Sequence, residues 1–399
     1  MTRPSLLQPG RSLVAFVVVL ALVAAAGQVS GTRLAAATLV GVLAGFALYH
    51  AAFGFTAGWR RLVRERRGAG LRMQLVLVGA TAAFAMPLIA WGDVVGIHAS
   101  GFVFPFGVAV LVGSFLFGLG MQLGGGCGSG TLFTVGGGST RMVITLAFFM
   151  LGGLLATYNW DFWDGLPRLQ SLSFAWTPLG PFGGVLLTLL LLWLIGVATR
   201  RLELDRHGSL ETGRPMGSLL LGPWSLAAGA AALTAVGVLT LIVLGRPWGI
   251  TSGLTLWAAQ IAHAVGVPVA EWDYWRYAMG EVEASVFANG TSVMNLGLIA
   301  GAALAACLAG RYAPKFNLTR RDVITAIVGG LMMGYGARIA FGCNIGALLG
   351  GIASGSLHGW GWFLFAFLGS VVGVRLREAI GMDPPRERLP AAGSLRTQP

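Results

Sequence analysis

Two of the three cysteines lie within short glycine-rich stretches of apolar sequence. The stretch around Cys127 reads Gly-Gly-Gly-Cys-Gly-Ser-Gly over residues 124–130, and the one around Cys343 reads Phe-Gly-Cys-Asn-Ile-Gly over residues 341–346. Because each glycine costs a helix about 1 kcal/mol relative to alanine, both stretches predict a broken helix with a thiol at the break. The N–H groups that begin the next half-helix would face the same point and favour an anion. The alternative is a helix-packing seam in which cysteine is simply a small apolar residue.

We expect a substrate site to form from the residues at these breaks and from an arginine close to the second one. Arg338 lies in apolar sequence five residues before Cys343, and an arginine within a membrane span is costly enough to suggest a function. The candidate substrate-binding residues are Cys127, Cys343, Gly126, Gly128, Ser129, Gly342, Asn344, Arg338, Gly54 and Gly249.

The other reactive residue types show no pattern of a catalytic or metal site. Cys307 lies in an Ala-Ala-Cys-Leu-Ala stretch, which favours a packing role for this residue. The sequence contains no CxxC pair. The histidines lack the spacing of zinc or haem ligands. The sequence has no phosphate-binding loop, no paired carboxylates within an apolar stretch and no serine elbow. We therefore expect no metal, no cofactor and no enzymatic activity.

The composition is that of an all-α polytopic membrane protein. Of the 399 residues, 55% are hydrophobic and 11% are charged, whereas a typical soluble protein has about 25% charged residues. The mean hydropathy is +0.75. Apolar windows of about 20 residues, the length that crosses a bilayer, lie near 12–29, 36–58, 74–91, 105–138, 142–157, 182–198, 223–253, 287–309, 323–357 and 360–375.

The charge pattern predicts which side of the membrane each loop occupies. A net charge of +12 could indicate nucleic-acid binding, but the arginines are grouped between apolar windows, near residues 60–72, 200–214, 311–321 and 375–388. Ten spans with a cytoplasmic N-terminus put all four groups on the cytoplasmic side, as the positive-inside rule requires. The opposite loops are acidic and rich in Trp and Tyr. We therefore expect two cytoplasmic termini and no nucleic-acid partner.

The cysteine stretches belong to a longer internal repeat. Residues 118–120 precede Cys127 at the same offset by which residues 334–336 precede Cys343, and a weaker match relates residues 53–58 to residues 248–253. Two halves of about five spans each insert in opposite directions because five is odd, and inverted repeats with broken helices are typical of transporters with a midplane site. The predicted divisions are a first span or uncleaved signal anchor (1–30), an N-terminal repeat (31–200), a cytoplasmic linker (201–222), a C-terminal inverted repeat (223–378) and a cytoplasmic tail (379–399).

The two motifs, at residues 118–130 and 329–346, resemble the signature motifs of the YeeE/YedE (sulfur transport) family, and the similarity extends over most of residues 36–375. The resemblance implies a thiosulfate permease of the bacterial inner membrane that passes the terminal sulfur along pore cysteines by S–H···S contacts. Cys127 and Cys343 match two of those cysteines. The third normally lies in a Phe-Cys-Phe stretch, which here reads Phe53-Gly54-Phe55. The resemblance also suggests a soluble sulfur-carrier protein as a cytoplasmic partner.

Other interpretations stay open at this level. Gly54 stands where the family pattern has its third cysteine. Either two thiols are enough to pass the substrate along, or the substrate is a different one, such as a selenium compound. A membrane thiol–disulfide oxidoreductase would use Cys127 and Cys343 as a redox pair and would need their sulfurs within bonding distance. A structural subunit would merely anchor a partner, and its thiols could then lie at the lipid face.

Reporter fusions test the predicted topology. Fusions after Arg72, Arg206 and Arg321 should report a cytoplasmic location, because each follows a basic group. Fusions near Asp164 and Trp275 should report a periplasmic location. A periplasmic signal at Arg206 would contradict the ten-span arrangement.

Overall fold

The computed structural model describes residues 8–383, which are mainly helical. This confirms the all-α polytopic class. The first seven residues, and residues 384–399 of the predicted tail with Arg386 and Arg388, lie outside the described part of the chain. The division into two inverted halves stays a prediction.

The helices of the described residues alternate between long spans and short segments. They are α1 (Pro9–Ala51), α2 (Phe55–Glu65), α3 (Ala69–Trp91), α4 (Val108–Gly124), α5 (Gly128–Gly136), α6 (Thr140–Tyr158), α7 (Trp160–Asp164), α8 (Gly180–His207), α9 (Leu226–Leu244), α10 (Ile250–Ala264), α11 (Asp273–Arg276), α12 (Met279–Glu283), α13 (Gly290–Leu308), α14 (Arg320–Ile339), α15 (Gly351–Ala353) and α16 (Leu357–Ala379). A π-helical stretch, Asn344–Gly350, runs directly into α15. Short 3₁₀ turns cover Gly92–Val95, Phe174–Trp176, Val269–Glu271 and Val286–Ala288. The strands β1 (Phe106–Gly107) and β2 (Arg168–Leu169) pair in an antiparallel fashion.

Residues 8–383 contain nine helical stretches long and apolar enough to cross a membrane, compared with ten predicted windows. The difference arises in α1, which contains the first two windows and leaves helical geometry at Ser30 and Gly31. Gly27 packs against Ala35 across this bend, so α1 folds back on itself as a helical hairpin. A glycine with a φ of 74° allows the reversal without the steric cost that a side chain would bring.

Glycine seams bring the central helices into close contact. In α4 and α14, Gly113 lies beside Gly336 and Gly124 lies beside Gly329, so these two helices run antiparallel. Helix α4 also packs against α16, and α14 packs against α6. The predicted repeat would relate these two pairs of contacts, with α4 equivalent to α14 and α6 equivalent to α16. Small residues permit such close packing between membrane helices.

Ion pairs join the basic groups at one end of the bundle, here named the basic face (residues 60–72, 200–214, 311–322 and 375–383). The Glu203 carboxylate is fully buried and pairs with Arg67 at 3.2 Å and with Arg72 at 2.7 Å. Arg64 pairs with Glu378 at 3.1 Å. Arg321 donates to the carbonyl of Gly381, so four separate segments of the sequence share this face.

Aromatic side chains gather at the opposite end, here named the aromatic face (residues 158–164 and 272–275). The rings of Tyr158 and Trp272 lie 5.1 Å apart, and those of Trp160 and Tyr274 lie 5.3 Å apart. Trp275 donates its indole N–H to Thr157 at 3.0 Å. The contacts join two loops far apart in sequence.

The glycine seams predict a specific cost for added volume. The substitution Gly118→Ala would place the new Cβ too close to the backbone carbonyl of Ala366. Overpacking of this kind costs about 1–3 kcal/mol, so thermal unfolding of the purified protein in detergent should occur at a lower temperature. As a control, Gly213→Ala places its Cβ where no atom lies within 4 Å, and it should unfold like the original chain. Equal unfolding temperatures for all three proteins would contradict the prediction.

Candidate functional site

The glycine-rich stretches form two interruptions between helices. Helix α4 ends at Gly124 and α5 begins at Gly128, with Cys127 as the residue that precedes α5. Helix α14 ends at Ile339, and the π-helical stretch begins directly after Cys343. Each thiol therefore lies at the N-terminal end of a short helical segment.

The tertiary structure brings these two interruptions into contact. The Cys343 sulfur lies 3.0 Å from the point where a Cβ on Gly128 would be, and Thr251 of α10 lies 3.5 Å from the same point. Cys127 is 1% exposed and Cys343 is fully buried. Three short helical segments, which begin near Gly128, Asn344 and Thr251, thus start around one enclosed region.

Each sulfur faces backbone N–H groups at the start of its own segment. The Gly130 N–H donates to the Cys127 sulfur at 3.4 Å, and the Ser129 hydroxyl lies 3.5 Å from the same sulfur. Cys343 directly precedes the π-helical stretch, so the backbone N–H groups that begin this stretch lie next to it in the chain. This arrangement concentrates positive ends of backbone dipoles around both thiols, and such points favour an anion.

Asn344 is a buried amide that lacks hydrogen-bond partners. Its side chain is fully buried beside Cys343, and neither its Nδ2 nor its Oδ1 has a partner among the described residues. A buried polar group without a partner costs roughly 1–3 kcal/mol. Unsatisfied polar groups of this kind suggest a site for a polar ligand or water.

Side chains from neighbouring helices stabilise the two thiol breaks. Trp362 of α16 donates its indole N–H to the Gly342 carbonyl at 3.1 Å. Arg141 of α6 donates to the carbonyls of Leu123 and Gly124 at 2.7 Å and 2.9 Å. Sequence analysis alone did not identify Trp362 or Arg141, because both are remote from the breaks in sequence.

The second pair of predicted glycines, Gly54 and Gly249, also precedes short helices. Gly249 comes directly before α10 and lies close to Gly346, near the Cys343 segment. Gly54 comes before α2, and its carbonyl accepts a hydrogen bond from Gln74 of α3 at 3.3 Å. The contacts of Gly54 therefore lie on α2 and α3, whereas Gly249 joins the thiol region.

Arg338 occupies the end of α14 at the aromatic face. Its guanidinium lies 5.5 Å from the ring centre of Trp160 and 5.1 Å from that of Tyr274, which are cation–π distances. Within the described residues it forms no ion pair. The positive charge of Arg338 is therefore in cation–π contact with two rings, and no carboxylate within residues 8–383 neutralises it.

Phe341 lies between Arg338 and Cys343 in the sequence, and its ring packs edge-on against Trp160 at the aromatic face. It has a φ of 59°, which is a strained conformation for a bulky residue. Its ring stacks on Phe104 with 4.8 Å between the ring centres. The repeat-equivalent residue before Cys127 is Gly125, which has a φ of 91° and no side chain. Sequence reasoning did not identify this difference between the two sides.

Residues 8–383 contain no group of three His, Cys, Asp or Glu side chains placed to hold a metal ion. The three cysteines are free thiols.

Comparison with known proteins identifies several relatives. A family model described as Sulphur transport matches residues 50–372. The chain is 31% identical over 175 residues to the probable transporter YedE of Salmonella typhimurium, a match that covers 43% of each protein. It is 27% identical over 290 residues to the thiosulfate transporter TsuA of Spirochaeta thermophila, covering 66% of this chain and 76% of that protein. It is 25% identical over 362 residues to the thiosulfate transporter TsuA of Escherichia coli, covering 83% and 91%. The chain thus spans less than half the length of the YedE relatives it matches.

Two buried asparagines allow a test of the unpaired amide. Asn344→Leu removes an amide without partners, so it should leave the unfolding temperature unchanged or raise it. Asn295→Leu removes an equally buried amide that accepts from Trp248 at 3.1 Å and donates to the Ile250 carbonyl at 2.9 Å. That variant should lose roughly 1–3 kcal/mol of unfolding free energy, measured by thermal unfolding in detergent. If Asn344→Leu destabilised the protein as much as Asn295→Leu, the Asn344 amide would have a structural partner after all.

Proposed function

This chain belongs to the sulphur transport family, and we propose on that basis that it is a permease for thiosulfate or a related sulfur-containing anion. The substrate class follows from the names of relatives, which include two thiosulfate transporters. The observation that carries the proposal is the contact between the Cys343 sulfur and Gly128, the residue directly after Cys127. This contact brings the two helix breaks side by side, which supports a shared site for both thiols.

The chemistry of the site suits such an anion. Thiosulfate is a dianion with one soft terminal sulfur and a hard oxygen end. A neutral thiol is a weak donor and a weak acceptor, so it can contact that sulfur without holding it tightly. The surrounding N–H groups and the Asn344 amide can contact the oxygens. Transport by such contacts needs no covalent step and no cofactor.

We propose that two thiols are sufficient to pass the terminal sulfur of the substrate through this protein. The family pattern implies a third cysteine at the position of Gly54. Here the contacts of Gly54 are with α2 and α3, and the region around Cys343 is completed by Thr251 of α10. Cys127 and Cys343 would then form one continuous pore region without a third sulfur.

Arg338 would attract the anion at the aromatic face. It is a permanent charge and forms no ion pair within residues 8–383. The face-on contacts with Trp160 and Tyr274 orient the guanidinium without cancelling its charge. A dianion that reaches Arg338 would next meet Phe341 and then Cys343.

The proposed location is the bacterial inner membrane, with both termini in the cytoplasm and the basic face on that side. The shared position of the four basic groups at one end of the bundle supports this orientation. A soluble sulfur-carrier protein is the proposed cytoplasmic partner, by analogy with the family.

A thiol–disulfide oxidoreductase is the competing function, and the burial of both sulfurs disfavours it. A redox pair must exchange with a partner thiol or disulfide, and accessibility controls that exchange. Cys127 and Cys343 are at most 1% exposed.

Single substitutions of the thiols test transport against redox chemistry. Cys127→Ala and Cys343→Ala should each abolish or sharply reduce thiosulfate-dependent growth of a host that lacks its own uptake route. Serine should not restore function at either position, because its hydroxyl is a harder partner for sulfur. Cys307→Ala should be near neutral because this residue packs within α13.

The redox alternative predicts a different pattern. Differential alkylation of the original protein would then detect a reversible disulfide between Cys127 and Cys343. That disulfide, together with normal uptake by either alanine variant, would overturn the transport proposal.

A further inference from the structure

A cavity of about 340 Å³ opens at the basic face beside the Cys127 break. Its wall includes Gly125, which precedes Cys127 by two residues. Four arginines line the same cavity, here named the arginine cup: Arg60, Arg141, Arg321 and Arg377. They come from three spans and the short helix α2. Three of them belong to basic groups that the sequence places on one side of the membrane, whereas Arg141 lies outside those groups.

Positive charge exceeds negative charge in the arginine cup. Asp322 lines the cup 3.8 Å from the Nε of Arg141. Asp383 pairs with Arg377 at 2.7 Å. Arg377 holds the pKa of the Asp383 carboxyl below its usual range, so this group is ionised at neutral pH. Two positive charges stay uncompensated, which is the charge that a dianion would balance.

Two of the arginines have donors that the protein itself does not use. Arg60 forms no hydrogen bond or ion pair with another residue in the described part of the chain. The Nε of Arg141 is buried and donates to no acceptor within residues 8–383. The other two nitrogens of Arg141 are fixed by the carbonyls of Gly124 and Leu123. A guanidinium held in this way is preorganised to bind an oxyanion.

The backbone beside the cup differs from its counterpart at the other break. Gly125 lines the cup two residues before Cys127, and a Cβ there would lie 2.6 Å from Arg141 and 2.8 Å from Met142. The equivalent residue before Cys343 is Phe341, whose ring stacks on that of Phe104. The surroundings of the two breaks therefore differ, with stacked rings beside one and arginines beside the other.

We propose that the arginine cup is a second binding site of this protein, which binds the oxygen end of a divalent sulfur oxyanion. The site recognises oxygen and charge, whereas the thiols recognise a soft sulfur. Sulfate, which has no soft sulfur, therefore binds in the cup as thiosulfate does. The use of the cup in transport rests on the proposed function, but its binding chemistry does not.

Calorimetric titration of the purified full-length chain in detergent, with sulfate and separately with thiosulfate, tests this site. Arg60→Gln removes an unused charge and should weaken sulfate binding roughly tenfold or more, since charged hydrogen bonds contribute about 1.5–3 kcal/mol. Arg60→Lys keeps the charge and should restore part of the affinity. Arg214→Gln, which removes the same charge from an exposed position outside the cup, should bind like the original protein. Cys127→Ala should also keep sulfate binding.

The outcomes separate this site from the proposed function. If Arg60→Gln binds sulfate as tightly as the original protein does, the cup is not an oxyanion site. This conclusion would hold even if vesicles that contain the protein transport thiosulfate. If sulfate binding depends on Arg60 but vesicles transport no thiosulfate, the cup stands and the proposed substrate is wrong. Displacement of sulfate by phosphatidylglycerol in mixed micelles, with tighter binding of that lipid, would assign the cup to a lipid headgroup and overturn the proposal.

Discussion

A helix that is broken inside apolar protein frees carbonyl and N–H groups, and each group left unpaired is costly because no water is available to satisfy it. In this structure, side chains from other helices donate to carbonyls at both cysteine breaks that the sequence predicted. Arg141 donates to Gly124 and Trp362 donates to Gly342. The position of each break therefore depends on the packing of a second helix. Loss of that packing would free the same polar groups at the centre of the bundle.

The glycine seams make this arrangement possible. The breaks can meet only where their parent helices approach closely, and α4 and α14 do so because glycine faces glycine at both ends of their contact. One consequence is that Cys343 lies against Gly128 rather than against a side chain. The high glycine content thus has two separate roles, since some glycines end helices and others allow helices to touch. Glycine therefore forms the breaks at the thiols and also allows the close helix packing that holds these breaks together.

The two approaches to the thiols are chemically different although the flanking motifs are alike. On the aromatic face, a single arginine lies over two rings, and Phe341 stacks on Phe104 two residues before Cys343. On the basic face, Gly125 leaves Cys127 beside a group of arginines. Under the proposed function, an anion would therefore meet few charges before the thiols and many after them. A perfect repeat would make the surroundings of both thiols equal, so this asymmetry reflects a difference between the two motifs, Gly125 in one and Phe341 in the other.

The sequence alone determined the features that depend on local composition. Runs of apolar residues fixed the spans, because crossing a bilayer requires about 20 of them in succession. Clustered glycines fixed the places of the breaks around Cys127 and Cys343, because helix propensity is a property of neighbouring residues. The resemblance of the two motifs indicated the family that the comparison then identified.

Only the tertiary structure decided which of these features meet. It placed the Cys343 sulfur against Gly128, left the Asn344 amide without a partner and gathered the four arginines into one cup. It also bent α1 into a hairpin, so that two predicted windows belong to one helical stretch. These results depend on contacts between residues tens to hundreds of positions apart. Such contacts follow from how whole helices pack, and no local pattern of residues encodes them.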